Sequence, residues 1–498
     1  MKRESLSIEA LIPFARLYNI SLRGVTFQKL RAEDGTDKGG AIVATENREP
    51  GNDEPSENDV LLNVPSDLIL SFGMVQERSK YDQHLREVLG AVGEFGKTAR
   101  GAILIFLLIQ ISHSSPDFAN QKHKIGTSSA WSEYVKFLPE FVPLPTFWTG
   151  PETELLRGTS LRIAYEAKIM SLEKEFDHLR EATEDIEWCR DLWWDEEAIT
   201  IEDWEYLDAV FRSRMVDLPG YGHAMVPCVD MANHAPDSAV NALYEKDKDG
   251  NAVLQLRPGK GLGLDEEVTI SYGEDKAASE MVFSYGFLDL ERSDAKQIFL
   301  DLDIPDDDPL RMAKMAFCRE APGLRIFSDP TDPETATTSA STRWESPIVW
   351  WACINEEDGL DFAVLQNNDG SRELTMTWKG QEVKTPDHLK DLLAADPSWD
   401  IFQLRAVVLV LERLETQLFM LQTTENMVSD IRQSEDMLAL FRPEVFSTVT
   451  KLRELEGDLL ERGIRDLVNE RDELMTTESV STYLAQQQQS ADVEDDFS

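Results

Sequence analysis

The chain has 498 residues, enough for two to four domains of ordinary size and for a full hydrophobic core without metals or disulfides. Its 49 Lys and Arg against 93 Asp and Glu give a formal net charge of −44. This balance argues against proteins that hold nucleic acid or anionic lipid through clustered basic residues. It favours a basic partner, although solubility alone also explains it.

The cysteines and the apolar runs indicate the cellular compartment in which the protein is expected. Cys189, Cys228, Cys318 and Cys353 form no Cys-x-x-Cys pair, so neither a zinc knuckle nor a disulfide framework is expected. No apolar signal core follows the N-terminus, and the most apolar run, 102–109, is far below the roughly 20 residues of a membrane span. We expect reduced thiols in a cytosolic or nuclear protein.

Strands and then helices are predicted in the first third of the chain. Residues 41–44 and 60–64 are short apolar runs between turn formers, typical of strands. Residues 46–58 are rich in Asn, Glu, Pro and Gly and predict a solvent loop. The nearly continuous apolar run at 97–112 predicts a buried helix, and 159–188 predicts a partly exposed one.

The rest of the chain changes character near residue 295. Residues 252–256 and 268–272 predict two more strands. Residues 328–341 are too poor in apolar side chains to order themselves. Leucines and valines three and four apart at 404–418, with similar texture at 451–474, predict amphipathic helices. A mixed α+β half is therefore followed by a mainly helical half.

Most motifs that carry chemistry are absent. The sequence has no glycine-rich phosphate loop, no hydrolase nucleophile elbow and no His-x-x-x-His pair, so no metal site is expected. One dense region remains at 211–287. Taken alone, Asn233 reads as a turn former, His234 as its satisfied neighbour and Tyr272 as a tyrosine at a sheet edge.

The order of motifs in that region changes this interpretation. Arg212-Ser213-Arg214 is followed by Asp230-x-x-Asn233-His234, then by an acidic pair and Val-x-Ile-Ser-Tyr272-Gly, then by Tyr285-Gly-Phe. This order resembles the SET-domain protein methyltransferases. The resemblance is closest to the branch with plant Rubisco large-subunit lysine methyltransferase and the fungal ribosomal-protein and elongation-factor lysine methyltransferases. The segment 131–161 is similar to the helical insertion of that branch, and 38–45 to its cofactor-binding first strand.

The resemblance implies an α+β fold class. A SET-domain β fold over 20–290, interrupted by a helical insertion at about 70–205, is followed by a mainly α-helical C-terminal substrate-binding domain over 300–485. The glutamine-rich and then acidic residues 486–498 predict a disordered tail.

It also implies roles for single residues. Tyr272 matches the catalytic tyrosine, and S-adenosyl-L-methionine is the implied cofactor. The residues that match cofactor-binding positions are Gly39, Gly40, Ala41, Arg214, Asn233, His234, Tyr272 and Tyr285. The residues that match positions near the substrate channel are Ser213, Asp230 and Tyr285.

Ala41 departs from the pattern, because the family has Gly-x-Gly before its first strand and Ala41 replaces the second glycine. If that glycine serves a positive φ or a close approach of the cofactor, alanine weakens cofactor binding.

The implied activity is protein-lysine N-methylation of a non-histone target, such as a ribosomal protein or a translation factor. We expect a monomer with a basic protein substrate and with neither nucleic acid nor a membrane as partner. One alternative is histidine methylation, in which the residue matching Tyr285 is smaller. Another is a SET-fold binding scaffold without turnover. Ala41 and the long disordered loops favour it, and the intact residues Arg214, Asn233, His234 and Tyr272 oppose it.

Overall fold

The computed structural model describes residues 1–31, 37–50, 58–118, 124–195, 197–236, 239–273, 275–318, 322–329, 341–366 and 372–495. The chain divides into two compact units. The first comprises Met1–Trp148, Tyr165–Asp275 and Phe283–Gly286, and the second Thr149–Ala164, Lys276–Val282 and Phe287–Ser498. The second unit thus includes Thr149–Ala164 from the expected insertion, and the domain boundaries predicted above stay a prediction.

The helices lie mostly in two parts of the chain, residues 72–214 and residues 386–495. They are α1 (Leu11–Leu17), α2 (Phe72–Ser79), α3 (Gln83–Ala91), α4 (Ala99–Ser114), α5 (Ala130–Tyr134), α6 (Gly150–Glu154), α7 (Leu161–Thr183), α8 (Glu187–Cys189), α9 (Ile201–Arg214), α10 (Ala278–Tyr285), α11 (Arg311–Cys318), α12 (Val349–Ala352), α13 (Pro386–Ala394), α14 (Trp399–Gln433), α15 (Glu435–Leu438), α16 (Pro443–Met475) and α17 (Glu478–Asp495).

The strands are short and mostly antiparallel. They are β1 (Ser21–Leu22), β2 (Val25–Arg31), β3 (Asp37–Ala44), β4 (Val60–Val64), β5 (Leu70–Ser71), β6 (Val216–Leu218), β7 (Gly222–Met225), β8 (Asn233–His234), β9 (Ala242–Lys246), β10 (Ala252–Leu256), β11 (Thr269–Ile270), β12 (Gln297–Leu300), β13 (Leu324–Ser328), β14 (Thr342–Glu345), β15 (Leu360–Gln366), β16 (Arg372–Trp378) and β17 (Gln381–Glu382).

Helix α4 forms the centre of the first unit's core, as the apolar run at 97–112 predicts. Thr98 begins it as N-cap, accepting a 2.9 Å hydrogen bond from the Gly101 amide. Every residue from Gly101 to Ser112 is buried. A helix that is apolar on all sides has no face for solvent, so it stabilises the fold only when other elements surround it.

Small sheets of the first unit lie around this core. One sheet has the order β1-β4-β10-β9, another pairs β5, β7 and β6, and β2 pairs with β3. Helices α2 to α9 lie in the chain between β5 and β6. The strands predicted at 41–44, 60–64 and 252–256 are confirmed, as is the partly exposed helix predicted over 159–188, which runs as α7.

One predicted strand is shorter than the sequence indicates. The alternating run at 268–272 predicts a strand that ends at Tyr272, but β11 spans only Thr269–Ile270. Its partner β8 offers two residues to pair with, so the ladder stops there. Tyr272 therefore lies in the loop beyond the strand.

The second unit combines long helices with two three-stranded antiparallel sheets. Helices α14 and α16 confirm the amphipathic helices predicted at 404–418 and 451–474, with Leu411 and Leu414 of α14 and Leu452 of α16 buried. The sheets have the orders β12-β13-β14 and β15-β16-β17. None of these six strands was predicted from the sequence.

Parts of two predicted loops lie outside the described residues, namely 51–57 and 330–340. The predicted disordered tail overlaps α17 as far as Asp495, and 496–498 lie outside the described residues. All four cysteines are buried, and none of them forms a disulfide within the described residues. Over the described ranges, no helix has both the length and the hydropathy that a bilayer crossing needs.

Candidate active site

Two very short parallel strands hold the predicted site residues together. Asn233 of β8 pairs with Thr269 of β11, and His234 pairs with Ile270. Both strands belong to the first unit. Because parallel strands run in the same direction, the chain that leaves β11 toward Tyr272 passes beside the residues that follow His234.

The Asn233 side chain ties this strand pair to two other segments. Its Nδ2 donates to the Gly40 carbonyl oxygen of β3 at 3.3 Å and to Glu267 Oε1 at 2.7 Å. A backbone hydrogen bond joins the same two segments, because the amide of Val268, next to Glu267, donates to the carbonyl of Ile42 in β3 at 2.8 Å. An amide held by two acceptors has a fixed orientation, and Asn233 therefore fixes the spacing of β8 and β3.

The glycine end of β3 is where the sequence predicts cofactor contacts. Gly39 has a φ of +87°, and a Cβ at that position would meet no atom within 4 Å. Gly40 has less room, because a Cβ there would lie 2.7 Å from Ile8 Cδ1. The residue that needs a left-handed backbone is thus Gly39. Ala41 is fully buried, pairs with Gln28 and has no positive φ, so alanine causes no backbone strain there.

Tyr272 is fixed by hydrogen bonds at both ends. Its amide donates to His234 Nδ1 at 3.2 Å, and its hydroxyl donates to the Ala232 carbonyl oxygen at 3.0 Å. The acceptor role of Nδ1 assigns the proton of the neutral imidazole to Nε2. The His234 ring lies against the Tyr272 ring, with centroids 5.3 Å apart.

The Tyr272 hydroxyl keeps its proton at neutral pH. Burial raises its pKa to about 12, and the negative charges of Asp230 and Glu267 act in the same direction, whereas Arg214 opposes them. A phenol in this state is a hydrogen-bond donor with two acceptor lone pairs.

A second tyrosine forms the wall beside it. Tyr285 ends α10, and its ring lies 4.5 Å from that of Tyr272 at an angle of 34°. Its hydroxyl is 3.5 Å from the Tyr272 carbonyl oxygen. Gly286 follows with a φ of +79°, and a Cβ there would lie 2.3 Å from the Pro143 carbonyl oxygen. Only glycine fits this turn without displacement, which fixes how the chain leaves Tyr285.

Arg214 and Asp230 form a buried pair at the base of the site. Arg214 Nη1 lies 3.0 Å from Asp230 Oδ2 and 3.1 Å from the Asp230 carbonyl oxygen. The Asp230 side chain is only 2% exposed. Burial is the largest single influence and disfavours the charged guanidinium, but the charge and hydrogen bond of Asp230, together with Tyr134 and Tyr272, raise the pKa of Arg214 on balance.

Ser213 precedes Arg214 on α9, and its hydroxyl has a partner within the helix. Its Oγ donates to the Ala209 carbonyl at 2.8 Å, one turn earlier. The structure therefore brings His234 into contact with Tyr272 and Tyr272 into contact with Tyr285, with Asn233 next to His234 in β8. The Ser213 hydroxyl serves its own helix.

Two residues of this site were not predicted from the sequence. Glu267 anchors the Asn233 amide, and Tyr134 of α5 donates to Asp230 Oδ1. Glu267 stands in an acidic run that otherwise reads as a solvated turn. Tyr134 lies 96 positions before Asp230, and a long-range pair of this kind has no local sequence signal.

Within the part of the chain that the structure describes, no group of three or more His, Cys, Asp and Glu side chains is placed to hold a metal ion. The described residues that converge at Tyr272 are aromatic rings, amides, carbonyls and a neutralised ion pair. Such a set can orient a ligand and stabilise it by oriented dipoles.

Comparisons with known proteins agree with this geometry. No protein-family model matches the chain. It is similar to SET domain-containing protein 8 of Schizosaccharomyces pombe, with 27% identity over 342 residues, 68% of this chain and 74% of that protein.

Solved structures show the same architecture over most of the chain. The SET domain of LSMT bound to lysine and AdoHcy matches with a TM-score of 0.62 and 17% identity, over 94% of this chain and 92% of that one. Rubisco LSMT bound to sinefungin and monomethyllysine matches with a TM-score of 0.63 and 17% identity, over 95% and 94%. The chain has the fold of the SET-domain proteins of the LSMT-like branch, and the predicted α+β fold class is confirmed.

Proposed function

We propose that this chain, which has the SET-domain fold, is an S-adenosyl-L-methionine-dependent protein-lysine N-methyltransferase. Its proposed substrate is a basic non-histone protein such as a ribosomal protein or a translation factor. The observation that carries the proposal is the position of the Tyr272 hydroxyl, held 3.0 Å from the Ala232 carbonyl beside the Asn233–His234 pair. Structures with the same fold hold AdoMet, AdoHcy, sinefungin and lysine or its methylated forms.

The residues present fit the cofactor. Gly39 combines a left-handed backbone with open space where a side chain would stand, so its backbone can approach a ligand closely. Gly40 accepts a hydrogen bond from Asn233, and together with His234 and Arg214, which the resemblance assigns to the cofactor, these residues would hold it. S-adenosyl-L-methionine supplies a methyl group that its sulfonium activates for attack by an amine.

The chain's own residues position the reacting groups. The Tyr272 hydroxyl oxygen and the Ala232 carbonyl oxygen are acceptors 3.0 Å apart. Two fixed oxygens of this kind make weak C–H···O contacts with a polarised methyl group and select its direction. Orientation of two reactants accounts for a large share of the rate of a displacement reaction.

The aromatic wall supports lysine rather than histidine as the target. The Tyr285 ring stands 4.5 Å from the Tyr272 ring. In histidine methylation the resemblance implies a smaller residue at the position of Tyr285. This favours lysine over the histidine alternative.

Ala41 no longer supports the alternative of a scaffold without turnover. Its backbone is extended and its methyl group is buried, while the positive φ is supplied by Gly39. The intact Asn233–His234–Tyr272 contacts favour an enzyme over a scaffold.

The acidic composition supports a basic protein substrate. A formal net charge of −44 attracts a basic protein over a distance of about one Debye length, roughly 8 Å at physiological ionic strength. Basic ribosomal proteins and translation factors fit this charge. We propose that the protein is a monomer and acts on them in the cytosol or the nucleus.

The test is transfer of label into cell extract. Purified full-length protein is incubated with methyl-tritiated S-adenosyl-L-methionine and extract, and the labelled protein is hydrolysed to amino acids. We expect tritium in methylated lysine of a basic protein. Label in methylhistidine would contradict the lysine assignment, and cofactor binding with no labelled protein would favour the scaffold.

A further inference from the structure

A tyrosine outside the predicted site contacts two residues of the turn 228–232, which carries Asp230. Tyr134 is fully buried, its hydroxyl donates to Asp230 Oδ1, and it accepts a 2.9 Å hydrogen bond from the Cys228 amide. Arg214 binds the other carboxylate oxygen, Asp230 Oδ2, at 3.0 Å. The Asp230 carboxylate is therefore held between two side chains.

The turn itself is an unusual piece of backbone. Cys228 has a φ of +72°, in the left-handed region that residues with a Cβ rarely adopt, and a short 3-10 helix, Val229–Met231, follows. Such a conformation persists only where its surroundings hold it. The bond from the Cys228 amide to Tyr134 is one of the contacts that hold it.

The turn ends at the atom that orients the proposed catalytic hydroxyl. Ala232 directly follows the 3-10 helix, and its carbonyl oxygen accepts the hydrogen bond from Tyr272. A rotation of the turn about Cys228 or Asp230 would therefore move the acceptor of the Tyr272 hydroxyl.

We propose that Tyr134 is a positioning residue for the methyl-transfer reaction. Through Asp230 and the Cys228 amide it fixes the turn 228–232, and through the Ala232 carbonyl it fixes the direction of the Tyr272 hydroxyl. The inference rests on the proposed function, because a positioning role has meaning only if Tyr272 touches the reacting atoms.

The ring and the hydroxyl of Tyr134 have separable roles. The ring packs against Phe14 and Trp131, with centroids 5.3 Å and 5.2 Å away. Phenylalanine preserves these contacts and removes only the hydroxyl. Burial, followed by the charge of Asp230, raises the pKa of Tyr134 well above its usual value, so the hydroxyl stays a donor throughout the neutral range.

The test compares Tyr134→Phe with a matched control. Tyr206 is also a buried tyrosine of the first unit, and its hydroxyl donates to the Pro139 carbonyl at 2.8 Å, outside the site. We expect Tyr134→Phe to lower kcat about 10-fold to 100-fold with the KM for cofactor within about twofold of wild type, because a displacement of about 1 Å costs up to about 10². Tyr206→Phe leaves kcat within about twofold. A kcat of Tyr134→Phe equal to that of Tyr206→Phe would overturn the proposal.

Coupling to Tyr272 separates positioning from general destabilisation. If Tyr134 acts through Tyr272, then Tyr134→Phe has little further effect on single-turnover rates in a Tyr272→Phe background. Rate losses that multiply in the double variant would contradict the proposal. Rates are compared well below the melting temperature of each variant.

An NMR measurement on the resting protein tests the positioning role of Tyr134 independently of methyl transfer. In protein labelled with ¹³C at the tyrosine ζ carbon, the Tyr272 resonance is assigned by its loss in Tyr272→Phe. We expect Tyr134→Phe to shift this resonance and Tyr206→Phe to leave it in place. If wild-type protein transfers no methyl group, the proposed function fails; an unshifted resonance in Tyr134→Phe overturns the positioning role in either case.

Discussion

The Tyr272 hydroxyl donates a 3.0 Å hydrogen bond to the carbonyl oxygen of Ala232, 40 positions earlier in the chain. The parallel pairing of β8 with β11 sets Asn233 beside Thr269, so Ala232 lies level with Val268, while Tyr272 lies two residues beyond the other end of β11. The Tyr272 side chain therefore reaches back along the strand pair to bond with Ala232. This is the arrangement that a positioned transfer reaction needs.

Asn233→Ala is expected to weaken cofactor binding with little effect on the fold. The substitution removes the bonds from Nδ2 to Gly40 and to Glu267. These bonds hold β8 against the Gly39–Gly40 end of β3, where the cofactor is proposed to bind. If their loss costs the bound cofactor the equivalent of one hydrogen bond to a charged group, about 1.5–3 kcal/mol, its affinity falls about 10-fold to 150-fold by calorimetric titration. Asn63→Ala is the control, because Asn63 donates to the Asp247 carboxylate at 3.2 Å outside the site. Equal affinities of the two variants would be evidence against the role of Asn233.

Gly286→Ala is expected to lower both stability and activity. An alanine in the left-handed region costs about 1–2 kcal/mol. At Gly286 its Cβ would also lie 2.3 Å from the Pro143 carbonyl oxygen, and overpacking of this kind costs a further 1–3 kcal/mol, roughly. Gly222→Ala has the same backbone cost, with a φ of +67° and no atom within 4 Å. Denaturant unfolding should show the larger loss for Gly286→Ala, and kcat should fall for it alone, because Tyr285 is its neighbour.

The second unit contains a buried carboxylic acid whose ionisation should affect stability. Glu456 is 1% exposed and accepts hydrogen bonds from the Ser160 amide at 2.8 Å and the Ser160 hydroxyl at 2.5 Å. Burial raises its pKa from 4.5 to about 7, although the Ser160 bonds and the charge of Arg453 oppose the shift. The pKa of Glu456 is higher in the folded protein than in the unfolded chain. The contribution of protonated Glu456 to the free energy of unfolding is therefore complete below pH 4.5 and is lost as the pH rises through about 7.

Glu456→Gln should remove this dependence, because the amide stays neutral at every pH. At about 1.4 kcal/mol per pKa unit the effect in wild type amounts to about 3 kcal/mol across the window. Glu461→Gln, an exposed position of the same helix, should behave as wild type. The free energy of unfolding is measured from about pH 5 to about pH 8. A Glu456→Gln profile parallel to that of wild type would show that Glu456 ionises normally in the folded protein.

Salt should affect substrate encounter more than chemistry. With a net charge of −44, long-range attraction raises the association rate of a basic protein. We expect kcat/KM on a labelled basic substrate to fall by about tenfold or more between about 0.01 M and about 0.15 M ionic strength, while kcat stays nearly constant. A kcat/KM independent of salt would leave solubility as the explanation of the acidic charge.

The structure confirms the features that depend on local sequence patterns. Helix α4 follows from its unbroken apolar run, and α14 from leucines and valines spaced three and four apart. The order of Asn233, His234 and Tyr272 indicated the SET-domain resemblance, and the fold confirms it. The structure adds the contacts between these residues, which a linear sequence does not contain.

Two of the features that were missed depend on long-range pairing. Strand β11 ends at Ile270 because its partner β8 has only two residues, and the alternation at 268–272 cannot reveal a partner's length. Tyr134 lies 96 positions from Asp230, in a segment whose pattern indicates only a helix. The strands β12 to β17 were missed as well, although β15 contains the apolar run 362–365 and β16 alternates Leu374, Met376 and Trp378 with polar residues. The sequence thus carries a local signal for these two strands.

The most direct test of the account is the kcat of Tyr272→Phe on an identified substrate, with cofactor affinity measured on the same sample. Phenylalanine keeps the ring beside His234 and Tyr285 and removes the oxygen held against Ala232. Tyr221→Phe is the control, since its hydroxyl donates to Gly250 outside the site. We expect a kcat lower by about 10²–10⁴-fold with nearly unchanged cofactor affinity, and a control within about twofold of wild type. A Tyr272→Phe protein with wild-type kcat would contradict the account.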